Sequence, residues 1–163
     1  MLRDKNLIPL SHQHQHALAL CVRMNRAQPI EDRDLEAWRT ELVQIFQMEI
    51  GIHFSAEEEL IFPAASRFRE LAILVEELKV EHASLREMFA QAQVRNLSAK
   101  DLRAFSEKLS AHIRKEERVL FENLQQLMNA SELKILGEKL NLALAHATQV
   151  CAIRPKAKEE SSN

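Results

Sequence analysis

Glycine occurs only twice in 163 residues, proline four times and tyrosine not at all. So few turn-formers exclude the hairpins of a β-rich fold. The two cysteines, Cys21 and Cys151, are too few and too far apart for a disulfide framework, and a reducing cytoplasm is the simplest setting. No apolar run approaches the ~20 residues that span a bilayer, so no membrane segment is expected. The charged start, MLRDKNLIPL, is not expected to act as a secretory leader. A net charge of -2, with no Lys/Arg stripe among aromatics, excludes a nucleic-acid footprint. What is abundant instead is Leu, Ala, Glu, Lys, Arg and Gln, the strong helix formers.

The expected fold is all-α: an antiparallel up-down-up-down four-helix bundle with an additional C-terminal helix. One domain is expected over residues 1–150, and a short polar tail, 151–163, is expected to be disordered. The first helix is expected from Ser11, as N-cap, to about Gln28, before Pro29. The second opens near Asp32 and is expected to end at Pro63. The third covers Arg69 to Arg95. Ser98 and Asp101 form a capping box for the fourth, which runs to about Met128, and Asn129 or Ser131 caps a fifth over Glu132–Thr148. Short connections make neighbouring helices antiparallel.

Apolar stripes drawn in alternating steps of three and four place one histidine in the core face of each bundle helix. The first stripe is Leu7, Leu10, His14, Leu18, Cys21; of the three histidines in LSHQHQHAL, His14 points inward and His12 and His16 outward. The second is Trp38, Leu42, Ile45, Glu49, His53, Glu57, Leu60, allowing one relaxed step. The third is Leu71, Val75, Leu78, His82, Leu85, Phe89, Ala92, and the fourth Leu102, Phe105, Leu109, His112, Glu116, Val119. His82 and His112 flank their turn at equal distances and fall at one level. Four imidazoles and two carboxylates thus converge. Each unpaired buried polar group costs about 1–3 kcal/mol, and two buried glutamates repel unless a cation lies between them. Fe, Mn or Zn resolves that conflict.

These segments resemble the haemerythrin-like (HHE cation-binding) family over about residues 7–128. The resemblance rests on LSHQHQHAL (His14), HFSAEEELIFP (His53, Glu57), EHASL (His82) and HIRKEERVLF (His112, Glu116). It implies a four-helix bundle holding two Fe ions, with a bridging oxo or hydroxo group and with Zn or Mn as substitutes. It further implies histidine terminal ligands and Glu57 and Glu116 as bridges. Ferritin-like di-iron sites use Glu-x-x-His, and zincins HExxH; neither is present. Oxygen-carrying haemerythrins have a fifth histidine on the third helix, where this chain has Leu78 and Arg86 one turn from His82. Glu49 is a candidate for the vacancy, as an added ligand or a proton-handling neighbour.

The function implied is binding or sensing of O2 or NO, by a monomer or homodimer. The alternatives are a di-iron enzyme in oxidative or nitrosative stress defence and an iron donor for iron–sulfur cluster repair. His12 and His16 read as a solvated pair, Cys21 as a small core residue, and His146 and Cys151 as without a role. Glu58, Glu59 and Glu117 read as solvated, with Glu58 placed to support the site. Gly51, within a helix, marks a close helix approach or a bend.

Overall fold

The structure, a computed structural model, describes residues 2–151, with side chains as far as residue 145. The expected disordered tail past Cys151 and the side chains of His146 and Cys151 lie outside the described residues. Five helical runs and no strand occur among the described residues: α1 (Ile8–Arg26), α2 (32–66), α3 (Arg69–Gln93), α4 (99–127) and α5 (Ala130–Cys151).

Pro9 sits in the first turn of α1, where a missing N–H costs nothing, and the helix starts at Ile8 rather than at Ser11. α4 opens on the expected capping box, in which Ser98 Oγ accepts from the Asp101 N–H at 3.2 Å and Asp101 accepts from the Ser98 N–H at 2.9 Å. Asn129 caps α5 in the same reciprocal way with Glu132.

α2 does not end at Pro63. It contains two π-helical turns, Phe46–Ile50 and Glu57–Ile61, and α4 contains a third, Glu116–Leu120. A π turn absorbs one extra residue. Pro63 falls in the first turn of the α segment that follows the second π turn, so the helix continues to Ser66. The same turns shift the stripe: Ile61 and Leu120 are fully buried, whereas Leu60 is only half-buried and Val119 is exposed. Gly51 follows the first π turn. A Cβ there would stand 2.9 Å from the Phe46 carbonyl oxygen, so its smallness serves its own helix rather than a neighbouring one.

Contacts climb one helix as they descend the next. α1 meets α2 through Gln13–His53 and His16–Glu49, and α2 meets α3 through Phe46–Phe89 and Glu58–His82. α3 meets α4 through His82–His112 and Glu77–Lys115, and α4 returns to α1 through Ser106–Cys21 and Glu117–His14. α5 lies against α1 and the middle of α2. The histidine layer divides the core. One apolar cluster, around Leu10, Phe62, Leu78 and Phe121, is covered by Leu133, Leu136, Leu140 and Leu144 of α5. The other, around Leu20, Leu42, Phe89 and Phe105, is closed by the bundle helices together with Ile30 and Leu97 from the connections between them.

Candidate metal centre

His14, His53, His82 and His112 are all buried, and the Nδ1 of each has one partner. Gln13 Oε1 lies 2.8 Å from His53, Glu58 Oε1 2.8 Å from His82, Glu81 Oε2 2.8 Å from His112, and Glu117 Oε1 2.7 Å from His14. These partners are acceptors, so each Nδ1 donates and each Nε2 presents its lone pair to the interior. The supports form a closed ring: α1 holds the histidine of α2, α2 that of α3, α3 that of α4, and α4 that of α1. Three supporting carboxylates are themselves paired with cations, Glu117 with Arg3, Glu58 with Arg86 and Glu81 with Lys115.

Inside the ring the Nε2 atoms of His14 and His53 face each other at 2.9 Å, and those of His82 and His112 at 3.1 Å. Glu57 and Glu116 lie between them, fully buried, and all four of their carboxylate oxygens lack a hydrogen bond. Glu57 Oε2 is 3.3 Å from His53 Nε2 and 3.4 Å from His82 Nε2; Glu116 approaches His14 and His112, each at 3.2 Å. Opposed lone pairs beside two orphaned carboxylates require positive charge at the centre.

With protons as the only cations, that demand falls on the imidazoles. Burial lowers the pKa of His14, but Glu116 and Glu117 more than reverse this and raise it to about 9. His82 rises to about 9 and His112 to about 10, again against burial, through the two central glutamates and, for His112, Glu81. Burial and the facing Glu116 push the Glu57 carboxyl up, and His53 and His82 bring it below its ordinary value. Glu116 is likewise driven up by burial and pulled well down by His112, His14 and His82. Burial raises Glu117 too, yet its bond to His14, with the Ser11 hydroxyl and Arg3 beside it, brings it to about 2.

The donor atoms sort into two groups, each within 4.8 Å: His14, His53, Glu57, Glu116, and Glu57, His82, His112, Glu116. All six expected residues are therefore brought together, and both glutamates belong to both groups. An imidazole–carboxylate set of this kind suits a first-row metal, and the hydrogen-bonded Nδ1 atoms and orphaned oxygens fit one. The two halves have different walls. His82 is stacked on Phe54 at a centroid distance of 3.9 Å and flanked by Phe62 at 5.1 Å. Beside His14, His53 and His112 lies a cavity of about 10 Å³, lined also by Ala17, Ile50, Phe54, Leu109 and Ile113.

Glu49 does not join either group. Its Oε1 is 3.0 Å from His16 Nδ1, while its buried carboxylate borders the cavity. His16 is thus partnered rather than simply solvated, although its side chain is 64% exposed; His12 is exposed. Cys21 is buried as expected, and burial pushes its thiol up. Glu117 is a support of His14 rather than a solvated charge, and Gln13 and Glu81 are supports with no expected role. Each of the four supports stands next in sequence to a converging residue, Gln13 beside His14, Glu58 beside Glu57, Glu81 beside His82 and Glu117 beside Glu116.

An all-helical bundle with a buried box of four imidazoles and two shared carboxylates defines a cation-binding protein. The Hemerythrin HHE cation binding domain profile matches residues 9–124, and the chain belongs to that family. The match takes in all six converging side chains and stops before α5. No curated protein and no solved structure gives a significant match. Among the described residues no helix is long and apolar enough to cross a membrane.

Proposed function

We propose that the chain is a non-haem di-iron protein that binds or senses O2 or NO. In this reading His14 and His53 hold one iron, His82 and His112 hold the other, and Glu57 and Glu116 bridge them. The frame is an up-down-up-down bundle of α1–α4 with α5 appended, a single domain over residues 1–150. It works in the cytoplasm as a monomer or homodimer. The observation that carries the reading is the pair of donor groups sharing two hydrogen-bond-free carboxylates, with every Nδ1 already engaged.

Bound iron supplies reversible redox chemistry and, with fewer protein ligands than six, a position for a diatomic ligand. The chain supplies the rest. Four engaged Nδ1 atoms fix the imidazole planes before metal arrives. Ala17, Ile50, Phe54, Leu109 and Ile113 give part of the adjoining cavity an apolar wall, and its volume of about 10 Å³ suits a molecule the size of water.

Elemental mass spectrometry of protein from iron-sufficient cells, with absorption spectra before and after reduction, tests the proposal. About two irons per chain and a spectrum altered reversibly by O2 or NO are expected. Stoichiometric zinc indifferent to reductant overturns the di-iron reading. The polar His16–Glu49 pair beside the cavity favours a second reading, in which iron or protons pass in and out and the protein acts as an iron donor or a di-iron enzyme. Multiple turnovers per iron pair identify the enzyme, and transfer to an apo acceptor identifies the donor.

A further inference from the structure

Outside the bundle, Lys5, His12, His16 and Asn141 line an open hollow of about 700 Å³ between α1, α2 and α5. Two residues border both this hollow and the small inner cavity: Gln13 and Glu49. They form the partition between solvent and the half of the centre that holds His14 and His53. Gln13 also carries the hydrogen bond from His53 Nδ1, and Glu49 is drawn to His16 on the solvent side.

We infer that the two metal positions are unequal, the one at His14 and His53 being exchangeable through the Gln13–Glu49 partition and the one at His82 and His112 being retained. This rests on the di-metal reading above and deepens it. Two independent features support it. The first is the identity of the supports. His82 and His112 both donate to carboxylates, whereas His53 donates to a neutral amide. A carboxylate acceptor draws the Nδ1 proton more strongly, makes the opposite nitrogen the better donor and tightens metal binding; an amide does so less. His14 has its carboxylate in Glu117, so the first position has one weak donor and the second has none.

The second feature is access. His82 is fully buried, with Phe54 stacked on it and Phe62 tilted against it, and the cavity does not reach it. The first position borders the cavity with both of its histidines and the second with His112 alone, and Gln13 and Glu49 stand between that cavity and the hollow. Glu49 is buried and ends on an exposed imidazole, so an outward swing of His16 leaves a carboxylate facing the route of an incoming divalent cation.

The test is metal release from the full chain loaded anaerobically with Fe(II), after challenge with excess of a ferrous chelator. Absorbance of the chelate and residual iron by elemental analysis are both read. Stoichiometry is measured first, and a single iron per chain overturns the di-metal reading and the inference with it. With two irons bound, the inference expects two release phases of equal amplitude. Gln13→Glu slows the fast phase by roughly 10-fold or more, and Glu58→Gln speeds the slow phase by a similar factor. Glu49→Leu, which removes the carboxylate of the partition, slows uptake into the fast position while leaving the final stoichiometry at two. One phase for both irons, or a fast phase unmoved by Gln13→Glu, overturns the inequality. Unchanged uptake in Glu49→Leu overturns the route. Gln13→Glu and Glu58→Gln change charge at opposite sides, so loss of fold in one leaves the other to decide.

Discussion

α1 and α3 are regular from end to end and each contributes one histidine to the centre, whereas α2 and α4 each contribute a histidine and a glutamate and are interrupted by π turns. In each of the latter one π turn begins at the glutamate itself, the second of α2 at Glu57 and that of α4 at Glu116. The difference shows in the spacing of buried residues. Along α3 Leu71, Val75, Leu78, His82, Leu85, Phe89 and Ala92 keep the alternation of three and four that a straight stripe requires. Along α2 one row of buried positions, Glu49, His53, Glu57, Ile61 and Ala65, falls at every fourth residue, with Ile50, Phe54 and Phe62 buried beside it. At about 100° per residue each such step drifts by about 40°, and over a long run a regular helix would turn the later residues away from the core. The π turns absorb that drift. An inserted residue therefore lets one helix present two consecutive acidic side chains to different tasks: Glu57 turns to the centre while Glu58 supports His82 on the neighbouring helix.

The largest effect expected from breaking this division is on metal content. Glu57→Leu or Glu116→Leu removes a side chain common to both donor groups, and bound metal should fall from about two per chain to about none. His14→Leu or His82→Leu removes a donor from one group only and should leave about one metal. Elemental analysis of the purified variants reads the contrast, and equal losses in both classes would mean that the glutamates are not shared.

The next comparison concerns single-residue deletions. Removing exposed Val119 should convert the π turn of α4 to an α turn and leave Leu120, Phe121 and Leu124 facing the core. The melting temperature should change by no more than about 5 °C, while metal binding weakens as Glu116 and Glu117 are re-aimed. Removing exposed Ala83 from regular α3 has no extra residue to absorb it. It turns Leu85, Phe89 and Ala92 by about 100° from the core. Each large side chain so displaced costs on the order of 2–5 kcal/mol, and the variant should not fold. Circular dichroism melts of the two deletions decide the matter.

A smaller contrast separates the metal-free from the metal-loaded chain. In the metal-free protein His14 and His82 titrate at about 9 and His112 at about 10, against an ordinary value of 6.5. Because the folded values are raised, the stabilisation is complete below about pH 6.5 and is lost as pH climbs through 9 to 10. Glu117, at about 2 against 4.5, has the opposite sign: its contribution is present above pH 4.5 and is lost as pH falls toward 2. The melting temperature of the metal-free chain should thus decline on the alkaline side. Metal affinity should rise over the same range as protons leave the imidazoles. Parallel melts at pH 6.5 and 9.5, with and without metal, check the sign.

The smallest expected effect is at an ordinary helix start. Ser98→Ala breaks the reciprocal cap of α4 far from the centre and should cost about 1 kcal/mol, with metal content unchanged.

The all-helical frame, the inward direction of His14 among three alternating histidines, and both His-x-x-x-Glu pairs were legible from residue spacing. Buried polar residues at helical intervals leave few arrangements open. The stripe positions given to Leu60 and Val119 were not legible under strict alternation, which ignores inserted residues. The succession of four-residue steps from Glu49 was the available sign of them. Pro63 misled for the same reason, since a π turn before it makes room for a proline that a regular helix would reject. The supports Gln13, Glu81 and Glu117 stayed hidden because each serves a histidine on another helix. Which neighbour it meets depends on rotation and height, and neither can be read along one strand of sequence. Glu49 shared the stripe of His53, but its carboxylate is spent on His16, a partner across the helix boundary.

The ring of supports also sets an order of events during synthesis. Domains fold as the chain emerges N-terminal end first. Gln13 is available to His53, Glu58 to His82 and Glu81 to His112 as soon as each pair of helices is complete, but His14, the earliest histidine made, waits for Glu117. A nascent chain short of that residue has its first imidazole unheld and lacks the second shared carboxylate, or has it only at its newest end. Metal capture is then a late event in the life of the chain, and a loaded centre certifies that the last helix of the box has been made and has closed on the first.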